Sequence, residues 1–335
     1  MEKHMFLGSN TPNGFYGCFK DMCKISKVII LKGGAGTGKS TLMKKVGSMA
    51  ISLNKDVEYY HCSSDVDSLD GVYIPSLNWT ILDGTSPHSL EPELAGINQY
   101  IINLLDKANY NELSSNQIEI IKLANCKKQH FTNAYNYLKS ANCLQSILDD
   151  KINSSVCCSN FDSILSDIIS FIPQTNTTQS RRLFASAITQ KGYINYYNSC
   201  FLNTKNIVLF CEYDCIAFNL IKQLEDYLNL HKINHIKYIS PFNIKTTEAI
   251  ELDGLTVSVN NPNIEPYILY NFNLTAKLSE NESNHNFVAT LFDSAVSELN
   301  FARDTHLNIE KYFNAAMDFN DINLKTQNII NQIFG

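Results

Sequence analysis

The chain has 335 residues, of which 44% are hydrophobic and 18% are charged, and its formal net charge at pH 7 is −6. The length exceeds that of one ordinary domain, and the composition excludes a disordered or fibrous chain. The 27 lysines and arginines are scattered, so DNA or RNA is not an expected partner. No stretch approaches the roughly 20 apolar residues of a membrane span, and residues 1–4 do not open a secretory signal, which predicts a cytoplasmic protein without membrane contacts. The ten cysteines show no C-x2-C zinc pair, and we interpret them as small core residues.

The first elements form a strand, loop and helix. Residues 27–31 are a β-branched apolar run that ends in glycines, which predicts a buried parallel strand. Residues 40–46 have apolar positions at helical spacing, so a helix follows the glycines. Two further strands are predicted at residues 57–61 and 79–82, each ending at polar residues where an α/β sheet exposes its carboxyl edge.

The connection between the first strand and helix matches the P-loop pattern G-x4-G-K-S. Glycines in such a loop bring backbone N–H groups close to phosphate oxygens. Lys39 supplies a positive charge for the β and γ phosphates, and Ser40 offers a hydroxyl to Mg²⁺. The pattern predicts binding of a nucleoside triphosphate with Mg²⁺. It does not identify the base, and ATP is the default because no N-K-x-D guanine motif is apparent. The predicted nucleotide-binding residues are Gly33, Gly34, Ala35, Gly36, Thr37, Gly38, Lys39, Ser40 and Thr41.

Acidic residues at the two later strand ends are candidates for metal binding and base catalysis. Asp83 ends one strand and is the predicted second Mg²⁺ ligand, although Asp83-Gly84 is also a common turn pair. Asp65 or Asp67 could act as a general base, with Asp65 the better candidate. The alternative is that Asp67 or Ser68 caps a following helix. Because Gly84 stands where many ATPases have a water-polarising glutamate, we expect slow hydrolysis.

Histidines and arginines give weaker signals. We interpret His61 and His88 mainly as hydrogen-bonded structural residues. The chain has only three arginines, which is few for the lid of a small-molecule kinase. Arg181 and Arg182 either reach the nucleotide as an arginine finger or form a solvated charge pair at a domain junction.

The rest of the chain divides into helical and α/β stretches. Residues 97–172 show helical periodicity without Gly or Pro and predict an inserted bundle of several helices, a surface suited to a protein partner. Residues 173–180 are a polar, Pro-containing linker, and residues 283–334 are again predicted to be helical.

An internal repeat relates the two α/β stretches. A shift of 178 positions aligns them without gaps from Phe6 on Phe184 to Lys44 on Lys222, and with a small gap residues 77–83 resemble residues 252–260. The same shift places residues 33–40 on residues 211–218, which contain no glycine, lysine, serine or threonine. The second copy is therefore predicted to keep the strand and helix without the phosphate chemistry.

Three segments besides the P-loop carry a resemblance to a known family. They are Tyr60-His61-Cys62-Ser63-Ser64-Asp65, Leu82-Asp83-Gly84-Thr85-Ser86-Pro87-His88 and Leu183-Phe184-Ala185-Ser186-Ala187-Ile188-Thr189. The sequence resembles tandem P-loop ATPase-like proteins of low-GC Gram-positive bacteria, most densely over residues 5–95 and 180–260. The resemblance implies two P-loop modules and nucleotide binding without fixing the reaction. The missing second motif indicates a regulatory or scaffolding role for the second module.

These observations predict an α/β protein of the P-loop NTPase fold, with two tandem three-layer domains and an α-helical insertion. The expected divisions are residues 1–96, an active P-loop domain; 97–178, a helical insertion; 179–282, a degenerate P-loop-like domain; and 283–335, a helical segment. The expected function is Mg²⁺-dependent ATP binding with slow hydrolysis by Lys39, Asp83 and Asp65, coupled to an unknown partner or conformational change. The alternatives are a kinase that phosphorylates a small hydroxyl-bearing molecule and a non-catalytic nucleotide-gated switch.

Overall fold

The structure is a computed structural model that describes residues 1–173, 178–261, 264–275 and 282–335. Residues 174–177 of the predicted linker and residues 276–281 before the C-terminal helical segment lie outside the described residues. We call residues 1–103 the first unit and residues 181–271 the second unit. Among the described residues, none of the helices combines the length and the apolar character that a membrane crossing requires.

The first unit contains eight strands, two α-helices and a short 3-10 helix (Pro75–Leu77) among its described residues. The strands and α-helices are numbered in chain order. They are β1 (Glu2–Phe6), β2 (Gly8–Thr11), β3 (Gly14–Gly17), α1 (Phe19–Ile25), β4 (Lys27–Lys32), α2 (Lys39–Ser52), β5 (Val57–His61), β6 (Leu69–Ile74), β7 (Trp79–Asp83) and β8 (Gln99–Asn103). Three helices follow, and they are α3 (Tyr110–Ser115), α4 (Gln117–Ser155) and α5 (Phe161–Ser170).

The second unit has the same succession of elements, and two helices complete the chain. The unit comprises β9 (Arg181–Leu183), β10 (Ser186–Thr189), β11 (Gly192–Asn195), α6 (Tyr197–Cys200), β12 (Lys205–Phe210), α7 (Asp214–Leu230), β13 (Ile236–Ile239), β14 (Thr247–Leu252), β15 (Leu255–Val259) and β16 (Ile268–Asn271). The C-terminal helices are α8 (Glu282–Ala316) and α9 (Phe319–Phe334).

Each unit is built on a six-stranded sheet, and the two sheets have the same topology. The first has the strand order β1-β5-β6-β7-β4-β8 and the second β9-β13-β14-β15-β12-β16. In each sheet the third strand, β6 or β14, is antiparallel to its neighbours, while the other strands run parallel. The repeat found in the sequence is therefore a repeat of structure. The sequence alignment of residues 77–83 with residues 252–260 needs a correction at its end. Val259 pairs with Leu209 as Asp83 pairs with Leu31, so the structural counterpart of Asp83 is residue 259 and not residue 260.

A small antiparallel sheet of order β11-β10-β2-β3 joins the two units. At its centre Asn10 pairs with Ile188, and nearby Phe6 and Phe184 exchange backbone hydrogen bonds of 2.9 and 3.0 Å. Both pairs are separated by 178 positions, so each residue meets its own counterpart in the repeat. The units are consequently related by an approximate two-fold axis that passes between these strands.

The predicted helical insertion at residues 97–178 is wrong in two respects. Its first residues form β8, in which Tyr100 and Ile102 pack on the first core while Ile101 is exposed, the alternation of an edge strand. The expected bundle of several helices is mainly one 39-residue helix, α4. Its apolar face packs against α8, which comes from the other end of the chain, and the shared cluster is Ala134, Leu138, Ile188, Ala295 and Leu299.

Buried apolar side chains form a core within each unit and one core between the units. In the first unit, α2 and α9 cover one face of the sheet, with Met43 and Ile329 fully buried. The cluster between the units combines residues of both, including Met5, Tyr60, Phe201 and Tyr238. The units thus share a core, and α9, at the end of the chain, packs on the first unit.

Candidate functional site

The glycine-rich loop connects β4 to α2 at the carboxyl edge of the first sheet. Gly36 and Gly38 have φ angles of +66° and +86°, in the left-handed region where a residue with a Cβ is strained. α2 begins at Lys39 immediately after the loop, so the loop N–H groups and the positive end of the helix dipole lie together. This arrangement suits an anion.

Lys39 lies across the loop and beside Asp83. Its Nζ donates hydrogen bonds to the carbonyl oxygens of Gly33 and Gly34, at 3.0 and 2.6 Å, and lies 3.6 Å from Asp83 Oδ2. The parallel pairing of β4 with β7 places Asp83 next to Leu31, the penultimate residue of the P-loop strand. Burial raises the pKa of Asp83, and the positive charge of Lys39 opposes this shift. Two residues predicted to act together are therefore in contact.

Other predicted nucleotide-binding residues are held by local hydrogen bonds. The Ser40 hydroxyl accepts a hydrogen bond of 3.0 Å from the Leu69 N–H, which brings the start of β6 against the first turn of α2. Thr37 is buried, and its hydroxyl donates to the Gly34 carbonyl oxygen at 3.0 Å. Thr41 is exposed.

The C-terminal helices lie directly on the glycine-rich loop. A Cβ on Gly34 would come within 2.5 Å of the Phe313 ring, and one on Gly36 within 2.7 Å of Asn314 Oδ1. Burial raises the pKa of Glu310, while a hydrogen bond from the Gly36 N–H lowers it. A carboxylate of α8 therefore occupies part of the hydrogen-bonding capacity that a phosphate would use.

Basic side chains of the two long helices surround the same loop. Lys127 Nζ of α4 lies 3.2 Å from His306 Nδ1, and His306 Nε2 lies 3.5 Å from the Glu310 carboxylate. Arg303 Nε lies 3.6 Å from Asp65 Oδ1. No local motif marks a residue that reaches the site from a remote helix, so these groups of α4 and α8 could not be predicted from the sequence.

The acidic segment after β5 is distributed differently from the prediction. Asp65 approaches Arg303 and accepts a hydrogen bond of 3.0 Å from the Ser68 hydroxyl, which places it at the rim of the loop. Asp67 is exposed and forms an ion pair of 3.0 Å with Lys191 of the second unit. The alternative that Asp67 or Ser68 caps a helix is wrong, because the strand β6 follows.

The two histidines predicted to be structural have buried partners. His61 Nε2 lies 2.9 Å from His4 Nδ1 and its Nδ1 lies 2.7 Å from the Val66 carbonyl oxygen, and burial lowers the pKa of His61 to about 4. His88 contacts the rings of Phe15 and Phe19, with centroid distances of 4.8 and 4.7 Å.

The arginine finger, one of the two alternatives for residues 181 and 182, is wrong, and the other alternative, a solvated charge pair, is wrong for the buried Arg181. The Arg181 guanidinium is buried and contacts Glu58 Oε1 at 2.7 Å. Arg182 binds both carboxylate oxygens of Asp21, at 2.8 and 3.0 Å. Both side chains connect the second unit to the first, and the buried Arg181 guanidinium requires its paired carboxylate.

The second unit has no phosphate cradle at the equivalent position. Only three residues separate β12 from α7, so the helix begins at Asp214 without a glycine-rich loop. The Asn260 side chain accepts a hydrogen bond of 2.9 Å from the Cys211 N–H and donates one of 2.7 Å to its carbonyl oxygen, and it also contacts Asp214. These contacts close the connection, and the carboxylate of Asp214 disfavours an anion there.

Comparison with protein-family models, with curated proteins and with solved structures gave no match. The resemblance to tandem P-loop ATPase-like proteins therefore remains a prediction from the sequence.

Proposed function

We propose that the first unit binds ATP with Mg²⁺ at residues 33–41 and hydrolyses it slowly. The observation that carries this proposal is the distance of 3.6 Å between Lys39 Nζ and Asp83 Oδ2. Lys39 follows the glycine-rich loop between β4 and α2, and Asp83 ends the adjacent strand β7. The loop N–H groups and Lys39 bind the phosphates. Ser40 and Asp83 would hold Mg²⁺, since a hydroxyl and a carboxylate are the oxygen ligands that this ion takes in phosphate sites.

Slow turnover follows from what surrounds the loop. Gly84 follows Asp83, so no carboxylate stands at that position to polarise a water molecule. Asp65, the candidate base, is held by Arg303 and Ser68. The kinase alternative has less support, because the Asp65 and Asp67 pair that motivated it is divided between Arg303 and Lys191.

One observation favours a nucleotide-gated conformational change as the role of binding. The Glu310 carboxyl and the Phe313 ring of α8 lie on the loop that would receive the phosphates. Phosphate oxygens compete with Glu310 for the Gly36 N–H, so nucleotide binding favours an α8 position farther from the loop. The helix α8 also packs along α4, through which the change would reach a partner.

The test is titration of the full chain with ATP and with GTP, each with and without Mg²⁺, followed by phosphate release in the same samples. We expect Lys39→Ala to weaken ATP-Mg binding by roughly 10- to 100-fold, the worth of a charge-assisted contact. Lys44→Ala is the matched control, because Lys44 lies on the same helix and contacts the exposed Asp67 carbonyl oxygen. Equal affinity of Lys39→Ala and wild type would refute the proposal.

A further inference from the structure

Three side chains with metal-binding atoms converge beside the P-loop in the first unit. Cys62 directly follows β5, Asp70 lies at the start of β6, and His88 lies in the loop after β7. One ligand atom from each lies within 4.8 Å of the other two. Asp70 and His88 are buried, at 2% and 8% exposure, and Cys62 is half-buried.

A β-bulge directs Asp70 towards this cluster. Tyr60 pairs with Gly71 and His61 pairs with Leu69, so Asp70 is the extra residue of its strand. Bulges re-aim side chains and are common beside functional sites. Because β6 is antiparallel to β5, its first residues meet the end of β5, which brings Asp70 to the carboxyl edge of the sheet.

The cluster leaves a buried carboxylate oxygen without a partner. Asp70 Oδ1 lies 3.3 Å from His88 Nε2, but Asp70 Oδ2 has no hydrogen-bond partner among the described residues. A buried carboxylate oxygen without a donor is unfavourable unless a cation or water satisfies it.

In the second unit, the carboxylate at the equivalent position is satisfied by a hydrogen bond from a hydroxyl group. Glu248, 178 positions after Asp70, is the extra residue of an equivalent bulge. Both of its carboxylate oxygens lie within hydrogen-bonding distance of the Ser186 hydroxyl, at 2.9 and 3.1 Å. In the first unit the residue equivalent to Ser186 is Gly8, which has no hydroxyl. The unit with the P-loop thus lacks this donor and has a thiol and an imidazole instead.

We propose that Cys62, Asp70 and His88 bind one divalent transition-metal cation of the Zn²⁺ class, with a fourth coordination position left open. Thiolate, imidazole and carboxylate together favour Zn²⁺ over Mg²⁺. Ligand atoms at about 2.0–2.3 Å from a tetrahedral Zn²⁺ are roughly 3.2–3.8 Å apart. The distance of 3.3 Å between Asp70 Oδ1 and His88 Nε2 falls in this range. On binding, the Cys62 thiol releases its proton to solvent as the sulfur–metal bond forms.

The first test uses the full wild-type chain, stripped with a chelator and titrated with Zn²⁺ and with Co²⁺. We expect one Zn²⁺ per chain and, with Co²⁺, a thiolate-to-metal charge-transfer band in the near ultraviolet. A chain that binds no stoichiometric Zn²⁺, or a Co²⁺ complex without the thiolate band, would overturn the proposal. Because this measurement uses wild-type protein, it does not depend on the folding of a variant.

Variants then assign the ligands. Cys62→Ser changes one atom, and we expect it to lose the charge-transfer band and to weaken Zn²⁺ binding by at least about tenfold. Cys126→Ser, at an exposed thiol of α4, is the matched control and keeps both. Unchanged Zn²⁺ affinity in a folded Cys62→Ser protein would contradict the assignment. Lys39→Ala should keep its affinity for Zn²⁺ while its affinity for ATP-Mg falls. Failure of the metal-site proposal is therefore distinguishable from failure of the proposed nucleotide site.

Discussion

Asp83 is a buried carboxylate beside Lys39 in the proposed nucleotide site. A substitution by Asn removes its charge and keeps the size of the side chain. Burial raises the pKa of Asp83 and Lys39 opposes that shift. As a proposed Mg²⁺ ligand, it should matter only when the metal is present.

We predict that Asp83→Asn abolishes the Mg²⁺ enhancement of ATP binding, raising the dissociation constant in Mg²⁺ by about tenfold or more. Binding without Mg²⁺ should change little, because the loop N–H groups and Lys39 remain. Calorimetric titration with and without Mg²⁺ measures both values. Asp226→Asn, at an exposed pair with Lys222, is the control. An undiminished Mg²⁺ effect in Asp83→Asn would show that another group holds the metal.

Glu248 gives a prediction on stability in the second unit. Burial raises its pKa from 4.5 to about 8, while Ser186 and Tyr197 hydrogen bonds oppose this shift. Between pH 4.5 and about 8, the folded chain therefore keeps a proton that the unfolded chain has already released. Across that window the free energy of unfolding falls as pH rises, by at most about 1.4 kcal/mol per pH unit from this group.

Glu248→Gln resembles the protonated carboxyl and should remove this contribution. Thermal unfolding of both proteins from pH 5 to 9 is the measurement, and the advantage of the variant should grow with pH. A constant difference between the two unfolding temperatures would mean that Glu248 does not titrate in this range.

At the scale of elements, α8 and the glycine-rich loop form a contact that binding of the proposed nucleotide would change. The Gly36 N–H hydrogen-bonds to the Glu310 carboxyl, whose position relative to the loop is also fixed by Phe313 and Asn314. A carboxylate at this N–H repels the phosphates as well as competing with them.

We predict that Glu310→Gln tightens ATP binding by up to about tenfold, because an amide keeps the size of the side chain and removes the competing charge. Glu298→Gln, on the same helix and paired with His130 at 2.7 Å, should leave the affinity unchanged. Direct titration of each protein with ATP-Mg distinguishes them. Weaker binding by Glu310→Gln would indicate that this carboxylate assists the nucleotide.

The sequence predicted those elements whose pattern of apolar residues and glycines lies within a short stretch of chain. The apolar run before Gly33 and the motif after it predicted β4, the loop and α2. β8 was not predicted, because the five residues of an edge strand have only a weak alternation within a longer helical pattern. The absence of Gly and Pro predicted helical structure in this region but not the single 39-residue helix α4, and its partner α8 lies more than a hundred residues away along the chain. No local signal identifies such a partner.

For the whole molecule, buried ion pairs between the units are a main structural device. The Arg181 guanidinium contacts Glu58 at 2.7 Å and the Tyr60 hydroxyl at 3.2 Å, within the core shared by both units. Removal of one partner leaves a buried charge uncompensated.

We predict that Arg181→Met lowers the free energy of unfolding by about 3–5 kcal/mol. Adding Glu58→Gln to this variant should recover part of the loss, because no buried charge is then unpaired. Urea unfolding of the two single variants and the double variant gives the coupling energy. Additive effects of the two substitutions would exclude an energetic pairing. Lys222→Met, at an exposed pair, controls for loss of a surface charge.

The residues of the candidate site that were predicted from the sequence all lie in the first unit. The phosphate loop and Asp83 follow from a motif and from the ends of parallel strands. Lys127 and Arg303 approach from long helices whose packing depends on the full tertiary structure, so sequence reasoning could not place them. Asp70 was missed because a bulge, which has no sequence signature here, turns its side chain.

The pairing of Phe6 with Phe184 and of Asn10 with Ile188 has a consequence for how such a chain can arise. A contact in which each residue meets its own counterpart is an isologous interface, the kind that closes a homodimer. Two separate copies of one ancestral unit could therefore have made the same contact before they were joined. Once fused, the copies are no longer required to be identical, and one of them can specialise in chemistry while the other serves as its permanent subunit.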